Sequence, residues 1–239
     1  MLPVGPLVNV SAVLAGGFLG ALLGNKIPER LRVALPLTFG AASMGMGINM
    51  IVKLGTLPVV ILSLLLGSAF GELVKFEKGI EWLAQKVRGP IEKVFGTPKG
   101  AGDDFMQKFV GIVVLFCASG TGIFGALNEG MTGNSTVLIT KSFLDFFTAA
   151  IFATGLGYLV MTIAVPQALV LVGLFFGAGV ILPMTNAAMI ADFSGVGGVI
   201  MLATGLRISG IKAFPIANLL PALLIVMPLS SLWATYMVK

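Results

Sequence analysis

Residues 109–147, FVGIVVLFCASGTGIFGALNEGMTGNSTVLITKSFLDFF, hold two long apolar runs together with Asn128, Glu129, Lys141 and Asp145. Ionisable groups at bilayer depth cost about 2.5–3.5 kcal/mol each on insertion scales, so a membrane chain keeps them there for a purpose. The segments on either side of this stretch resemble each other, which makes it the hub between two halves.

Working outward, the 239 residues are 57% apolar and 10% charged, with a mean hydropathy of +1.04. Soluble domains carry about 25% charged residues. One large buried core is excluded by the apolar runs, several of which exceed the roughly 18 residues that mark a spanning helix. The fold class expected is an all-α polytopic membrane protein, a single membrane domain over 1–239. Its partner is the lipid bilayer.

The net charge of +5 reads as topology and not as a nucleic-acid signal, because cytoplasmic loops collect Lys and Arg. The sequence has no histidine. That removes His-based metal sites, Ser–His and Cys–His catalysis and an imidazole proton relay. A single cysteine, Cys117, rules out an intrachain disulfide framework. No metal, no cofactor and no enzymatic activity are expected. Residues 4–24 form an apolar run followed by Lys26, Arg30 and Arg32, with no A-x-A site, so they read as a retained first span entering from outside.

Eight spans are expected, at 4–24, 34–52, 57–74, 105–125, 137–160, 166–183, 193–207 and 214–235. Gly16, Gly20 and Gly24 in span 1, and Gly67 and Gly71 in span 3, recur every four residues and give flat stripes for close helix packing, including packing in a homodimer. Gly40, Gly45 and Gly47 make span 2 a weak helix that either packs tightly or unwinds. In 75–104, Phe76, Ile80, Leu83, Val87, Ile91 and Val94 share one helical face, the pattern of an amphipathic helix on the membrane surface or a docking site for a soluble partner. With both termini outside, twelve of the fifteen Lys and Arg fall on the inner side, leaving Lys53, Lys141 and Lys239 outside.

GALLGNKIPERLRVALPLTFG (20–40) and GAGVILPMTNAAMIADFSG (177–195) align, pairing Gly20 with Gly177, Pro28 with Pro183 and Phe39 with Phe193. Pro58 and Pro215 continue the match, at offsets of 157, 155, 154 and 157. Spans 1–3 then repeat as spans 6–8 with opposite topology, an inverted repeat of the kind that builds many secondary transporters. The organisation expected is repeat one (1–74), the amphipathic segment and connector (75–104), a central helix pair (105–160) and repeat two (161–239).

Lys141 and Asp145 are four apart on span 5 and share a face, so each lowers the cost of holding the other at depth. Lys141 lies near the outer end of its span and can instead snorkel. Asn128 and Glu129 leave span 4 on the same side, and the loop 128–136 can fold back towards them. A cluster of Glu129, Lys141 and Asp145 would gate or bind a solute or carry a proton; a structural ion pair between spans 4 and 5 is the plain alternative. In the second repeat, Asp192 precedes the glycine-rich span 7, Arg207 and Lys212 follow it, and Asn186 and Asn218 add amides. If span 7 is broken, Arg207 and free backbone N–H groups would suit an anionic or zwitterionic ligand; otherwise Arg207 is a topology anchor. The G-x-G-x-x-G at 120–125 lacks a βαβ frame, and the N-x-[ST] patterns at Asn9 and Asn134 are common by chance.

LFCASGTGIFGALNEGMTG (115–133), ITKSFLDFFTA (139–149), ADFSGVGG (191–198) and ATGLRISGIKAFPIANLLPALL (203–224) closely resemble the YqgA/YdfK-like bacterial membrane proteins, domain of unknown function 554. The resemblance covers nearly the whole chain. It implies a bacterial inner-membrane protein and, at most, a role in transport, and it brings no substrate and no site residues. The function expected is a secondary transporter or permease for a small polar or ionic solute. Asn128, Glu129, Lys141, Asp145, Asp192, Arg207 and Asn218 are the binding or gating candidates. The rival reading is a non-transporting scaffold or regulator acting through 75–104.

Overall fold

In the computed structural model, residues 2–26, 28–80, 82, 112, 113, 116, 117 and 119–237 are described, and all their regular structure is helical. The principal helices are α1 (Val4–Leu23), α2 (Glu29–Ile51), α3 (Leu57–Leu73), α4 (Gly120–Thr132), α5 (Thr136–Leu156), α6 (Ala164–Ile181), α7 (Ala187–Ile208), α8 (Ile216–Leu219) and α9 (Ala222–Tyr236). Among the described residues, five stretches are long and apolar enough to cross a membrane: Val4–Leu23, Glu29–Ile51, Thr136–Val180, Ala187–Ile208 and Ile216–Tyr236. The shorter α3 is equally apolar.

The 45-residue stretch Thr136–Val180 doubles back on itself. Gly157 ends α5 with φ +63° and ψ −153°, a conformation open to glycine alone, and a 3-10 segment (Gly157–Ile163) leads into α6. Gln167 of α6 thereby returns to within 3.1 Å of Asp145 on α5. An unbroken helix would hold residues 22 apart about 33 Å from each other.

The chain forms two compact units, one of residues 1–35 and 78–176, the other of 36–77 and 177–239. Each has its own interior. In the first unit α1 and α5 run parallel at very short range. A Cβ on Gly16 would strike the Phe146 carbonyl, and one on Gly20 the Ala150 carbonyl. Gly16 and Gly20 of the α1 stripe are therefore packed within the chain, whereas a Cβ on Gly24 would meet nothing within 4 Å. Val13, Phe116, Ala149, Ala153, Val160 and Ile163 fill the core beside it.

In the second unit α2 and α7 are antiparallel, with Gly40 opposite Gly205 and Gly47 opposite Gly198. Between these two crossings Ser43 donates its hydroxyl to the Met201 carbonyl at 2.9 Å. Gly67 and Gly71 of α3 lie against Ala222 and Asn218, so this stripe too is used internally.

Four sequence expectations change in detail. Span 4 is interrupted: residues 116 and 117 are helical, Ser119 is extended (φ −63°, ψ 123°), and α4 starts afresh at Gly120. The expected loop 128–136 shrinks, because α4 runs on to Thr132 and stops at Gly133, whose left-handed φ of 74° lets its N–H close on the Glu129 carbonyl. Span 7 is neither short nor broken, since α7 is continuous over 22 residues from an Asn186 cap. Span 2 is one helix with Pro36 inside it. The expected amphipathic helix over 75–104 falls largely outside the described residues.

Candidate functional site

Three helices of the first unit bring four polar side chains into one buried cluster. Asn9 (α1) and Gln167 (α6) are fully buried, and Lys141 and Asp145 (α5) are 3% and 8% exposed. One helical turn separates Lys141 from Asp145, and they form an ion pair. Asn9 donates from Nδ2 to Asp145 Oδ2 at 2.8 Å, and Gln167 donates from Nε2 to the same oxygen at 3.1 Å. Gln167 Nε2 also donates to Asn9 Oδ1 at 2.7 Å. Three donors thus converge on one carboxylate oxygen, which a buried ion pair requires if its desolvation is to be offset.

The break in span 4 adjoins this cluster. The ammonium of Lys141 lies 5.8 Å from the centre of the Phe116 ring, and a Cβ on Gly122 would come within 3.1 Å of Lys141 Cε. Ser119 caps α4 by accepting from the Gly122 N–H at 3.4 Å. Lys141 does not snorkel to an interface; it is held inside by Asp145. Gln167 Oε1 is buried and has no hydrogen-bond partner among the described residues.

Glu129 and Asn128 do not join Lys141 and Asp145. The Glu129 carboxylate, 2% exposed, receives the Gly5 N–H at 2.9 and 3.0 Å, one oxygen each. A carboxylate there satisfies a free donor at the start of α1 and meets the positive end of its dipole. Gly5 leaves the space for it, since a Cβ would strike Glu129 Oε2. Asn128 donates to the Asn134 carbonyl at 3.4 Å, and its own carbonyl accepts from Thr132 Oγ1, which ties down the end of α4.

In the second unit the fully buried Asp192 accepts the Thr56 N–H at the start of α3 on Oδ1 and the Ser230 hydroxyl on Oδ2 at 2.6 Å. It plays for α3 the part that Glu129 plays for α1. Arg207 pairs with Glu77 at 2.7 Å and donates to the Phe214 carbonyl at 2.9 Å. Asn218 accepts the Glu77 N–H at 2.8 Å. Arg207 and Asn218 therefore meet at Glu77, and Asp192 is not with them. No group of three or more Asp, Glu or Cys among the described residues could hold a metal.

Residues 4–231 match the family described as "Protein of unknown function (DUF554)". The chain belongs to this family. It is 52% identical to "Uncharacterized protein YqgA" of Escherichia coli (strain K12) over 233 residues, 98% of each chain. It is 27% identical to "Uncharacterized membrane protein YdfK" of Bacillus subtilis (strain 168) over 225 residues, covering 92% of this chain and 93% of the relative. No solved structure matches. With its apolar helices, this DUF554 chain is an α-helical membrane protein.

Sequence reasoning missed Asn9 and Gln167, and in the second unit Thr56, Ser230 and Glu77. Asn9 entered only as a chance N-x-S pattern. The available signal was an uncharged amide isolated in each of two apolar runs, a type that costs energy at depth unless partnered.

Proposed function

We propose that this DUF554 chain is a secondary transporter, or permease, that moves a small polar or ionic solute across the bacterial inner membrane. The observation that carries the reading is the Asn9–Lys141–Asp145–Gln167 cluster. A buried Lys–Asp pair dressed by amides from two further helices contributes little net stability against well-packed apolar side chains. Its worth lies in presenting charge and hydrogen bonds inside an apolar protein. The interrupted span 4 beside it supports the same reading, because irregular backbone at membrane depth is tolerated where it is buried in protein or lines a cavity.

The architecture proposed is an inverted repeat of spans 1–3 and 6–8 around a central pair, eight spans in all, with both termini outside. Contacts within each unit support it. Adding 158 to Asn9 gives Gln167, the residue it touches. Adding 158 to Ser43 gives Met201, again the residue it touches. The same shift turns the Gly40–Gly205 crossing into the Gly198–Gly47 crossing. A Cβ on Gly40 would lie 2.7 Å from the Gly205 oxygen, and one on Gly198 would lie 2.7 Å from the Gly47 oxygen. The reciprocal distances, Gly47 to the Gly198 oxygen and Gly205 to the Gly40 oxygen, are both 2.5 Å.

A contact between a residue and its own repeat counterpart lies on the local two-fold axis relating them. For an inverted repeat that axis lies in the membrane plane, so Asn9–Gln167, with Asp145 attached, stands at the midplane. There a solute site is equally far from both faces. The 158 register differs by one helical turn from the 154 of the Phe39–Phe193 match. Helix directions agree with alternating spans: α1 parallels α5, while α2 opposes α7 and α3 opposes α9.

The test is electrical. Purified protein in proteoliposomes on a solid-supported membrane is challenged with organic acids, amino acids and inorganic ions, beside Asp145→Asn. A solute-specific current abolished in the variant is expected; a current that persists undiminished removes the cluster from the path.

A further inference from the structure

We propose that Arg207, Glu77 and Asn218 form a latch by which one end of the second unit opens and closes. Its use in a transport cycle rests on the transport reading above. Near each of its ends, one charged side chain ties α7 to α3 or the chain leaving it, and to the last helices or the turn before them. Asp192 holds the start of α3 and the end of α9 through the Thr56 N–H and the Ser230 hydroxyl. Arg207, fifteen residues and about 22 Å further along the helix, holds the chain leaving α3 and the turn before α8. It does so through Glu77 at 2.7 Å and the Phe214 carbonyl at 2.9 Å. Asn218 of α8 completes the arrangement by accepting the Glu77 N–H at 2.8 Å.

The two ties are unequal. Asp192 is fully buried, and each of its oxygens has a donor. The Arg207 side chain is 39% exposed, where water screens the ion pair and leaves it little net strength. Closing this end also strands two polar atoms. Glu77 Oε2 and Ser209 Oγ are buried without a hydrogen-bond partner among the described residues, and Ser209 Oγ is shut against Gly40 of α2. Both regain water when the latch opens, which offsets the lost ion pair. Lys75, two residues before Glu77, holds a left-handed φ of 54°, a conformation that a residue with a side chain adopts at a cost. Beyond Arg207 the chain turns at Gly210 with φ 70°, and α8 lasts four residues between Pro215 and Pro221. Short terminal segments of this kind absorb the backbone rotation of a hinge. The Arg207 end is therefore the one that opens, and the Asp192 end stays shut as the pivot.

Thiol labelling of the full chain in detergent, in a Cys117→Ala background, tests the latch. Ser209→Cys reports on the closed end, and Ser63→Cys, fully buried on α3, reports general loosening. Labelling of Ser209→Cys by a water-soluble maleimide should quicken about fivefold when Glu77→Gln is added, the change expected from one exposed ion pair. Raising KCl to about 1 M should quicken it similarly, with no further effect once Glu77→Gln is present, because the salt acts through the pair. Labelling of Ser63→Cys should not change. Equal quickening at Ser63→Cys, or none at Ser209→Cys, overturns the latch. Solute current in proteoliposomes supplies the second arm. With Glu77→Cys and Arg207→Cys joined by a short reducible cross-linker, the current should vanish and return on reduction. A current that persists across the cross-link overturns the latch and leaves the transport reading standing. Absence of current in wild type overturns the transport reading alone, and the labelling then decides the latch by itself.

Discussion

Gln167 donates to Asn9 at 2.7 Å, and both amides then reach the same Asp145 oxygen. An interior that needed only apolar packing would hold neither amide. Each must find a partner or lose about 1–3 kcal/mol, and they find each other and a carboxylate. The α1–α5–α6 packing is thereby fixed in register by polar groups.

Lys141→Met and Asp145→Leu should each destabilise the protein by about 3–5 kcal/mol, because each strands the opposite charge in a buried site. The double variant should recover most of that loss while remaining inactive in flux. Thermal denaturation in detergent reads the cycle. A double variant as unstable as its worse parent would mean that the two side chains do not act as a pair.

Gly47→Ala should destabilise by about 1–3 kcal/mol, since its Cβ would lie 2.5 Å from the Gly198 carbonyl oxygen and force α2 from α7. Gly45→Ala, with nothing within 4 Å, should be neutral or stabilising by up to about 1 kcal/mol through helix propensity. Equal melting temperatures for the two variants would contradict the close crossing.

Asp192→Ala leaves both the Thr56 N–H and the Ser230 hydroxyl without their acceptor. A loss of about 1–3 kcal/mol is expected. Asp192→Asn keeps an oxygen for Thr56 and should lose less. Hydrogen exchange at the Thr56 amide is the local readout: faster in the alanine variant, and intermediate in the asparagine one.

Topology is open to labelling because Cys117 is the single cysteine. In a Cys117→Ala background, Lys53→Cys should react with an impermeant maleimide added outside, and Lys212→Cys only after the membrane is permeabilised. Both positions are exposed. The reverse pattern would invert the orientation proposed from the Lys and Arg distribution.

What the sequence determined by itself was local. Run length and the lack of charge set the membrane class, because crossing a bilayer depends on some 20 consecutive residues and on little beyond them. The Lys141–Asp145 pair was legible for the same reason: a four-residue spacing on a helix is a contact wherever the helix lies.

Tertiary structure decided which groups met across helices. Glu129 looked like a member of the Lys141–Asp145 cluster because it is near in sequence, yet it serves the start of α1, 124 residues away. Asn9 and Gln167, uncharged and isolated, gave almost no signal until the packing of α1, α5 and α6 set them together. The break at Ser119 carries no proline, and the continuity of α7 survives four glycines within it. The break coincides with a serine cap, a local preference, whereas the unbroken α7 follows from close contacts with its neighbours, which routinely override helix propensity inside a protein.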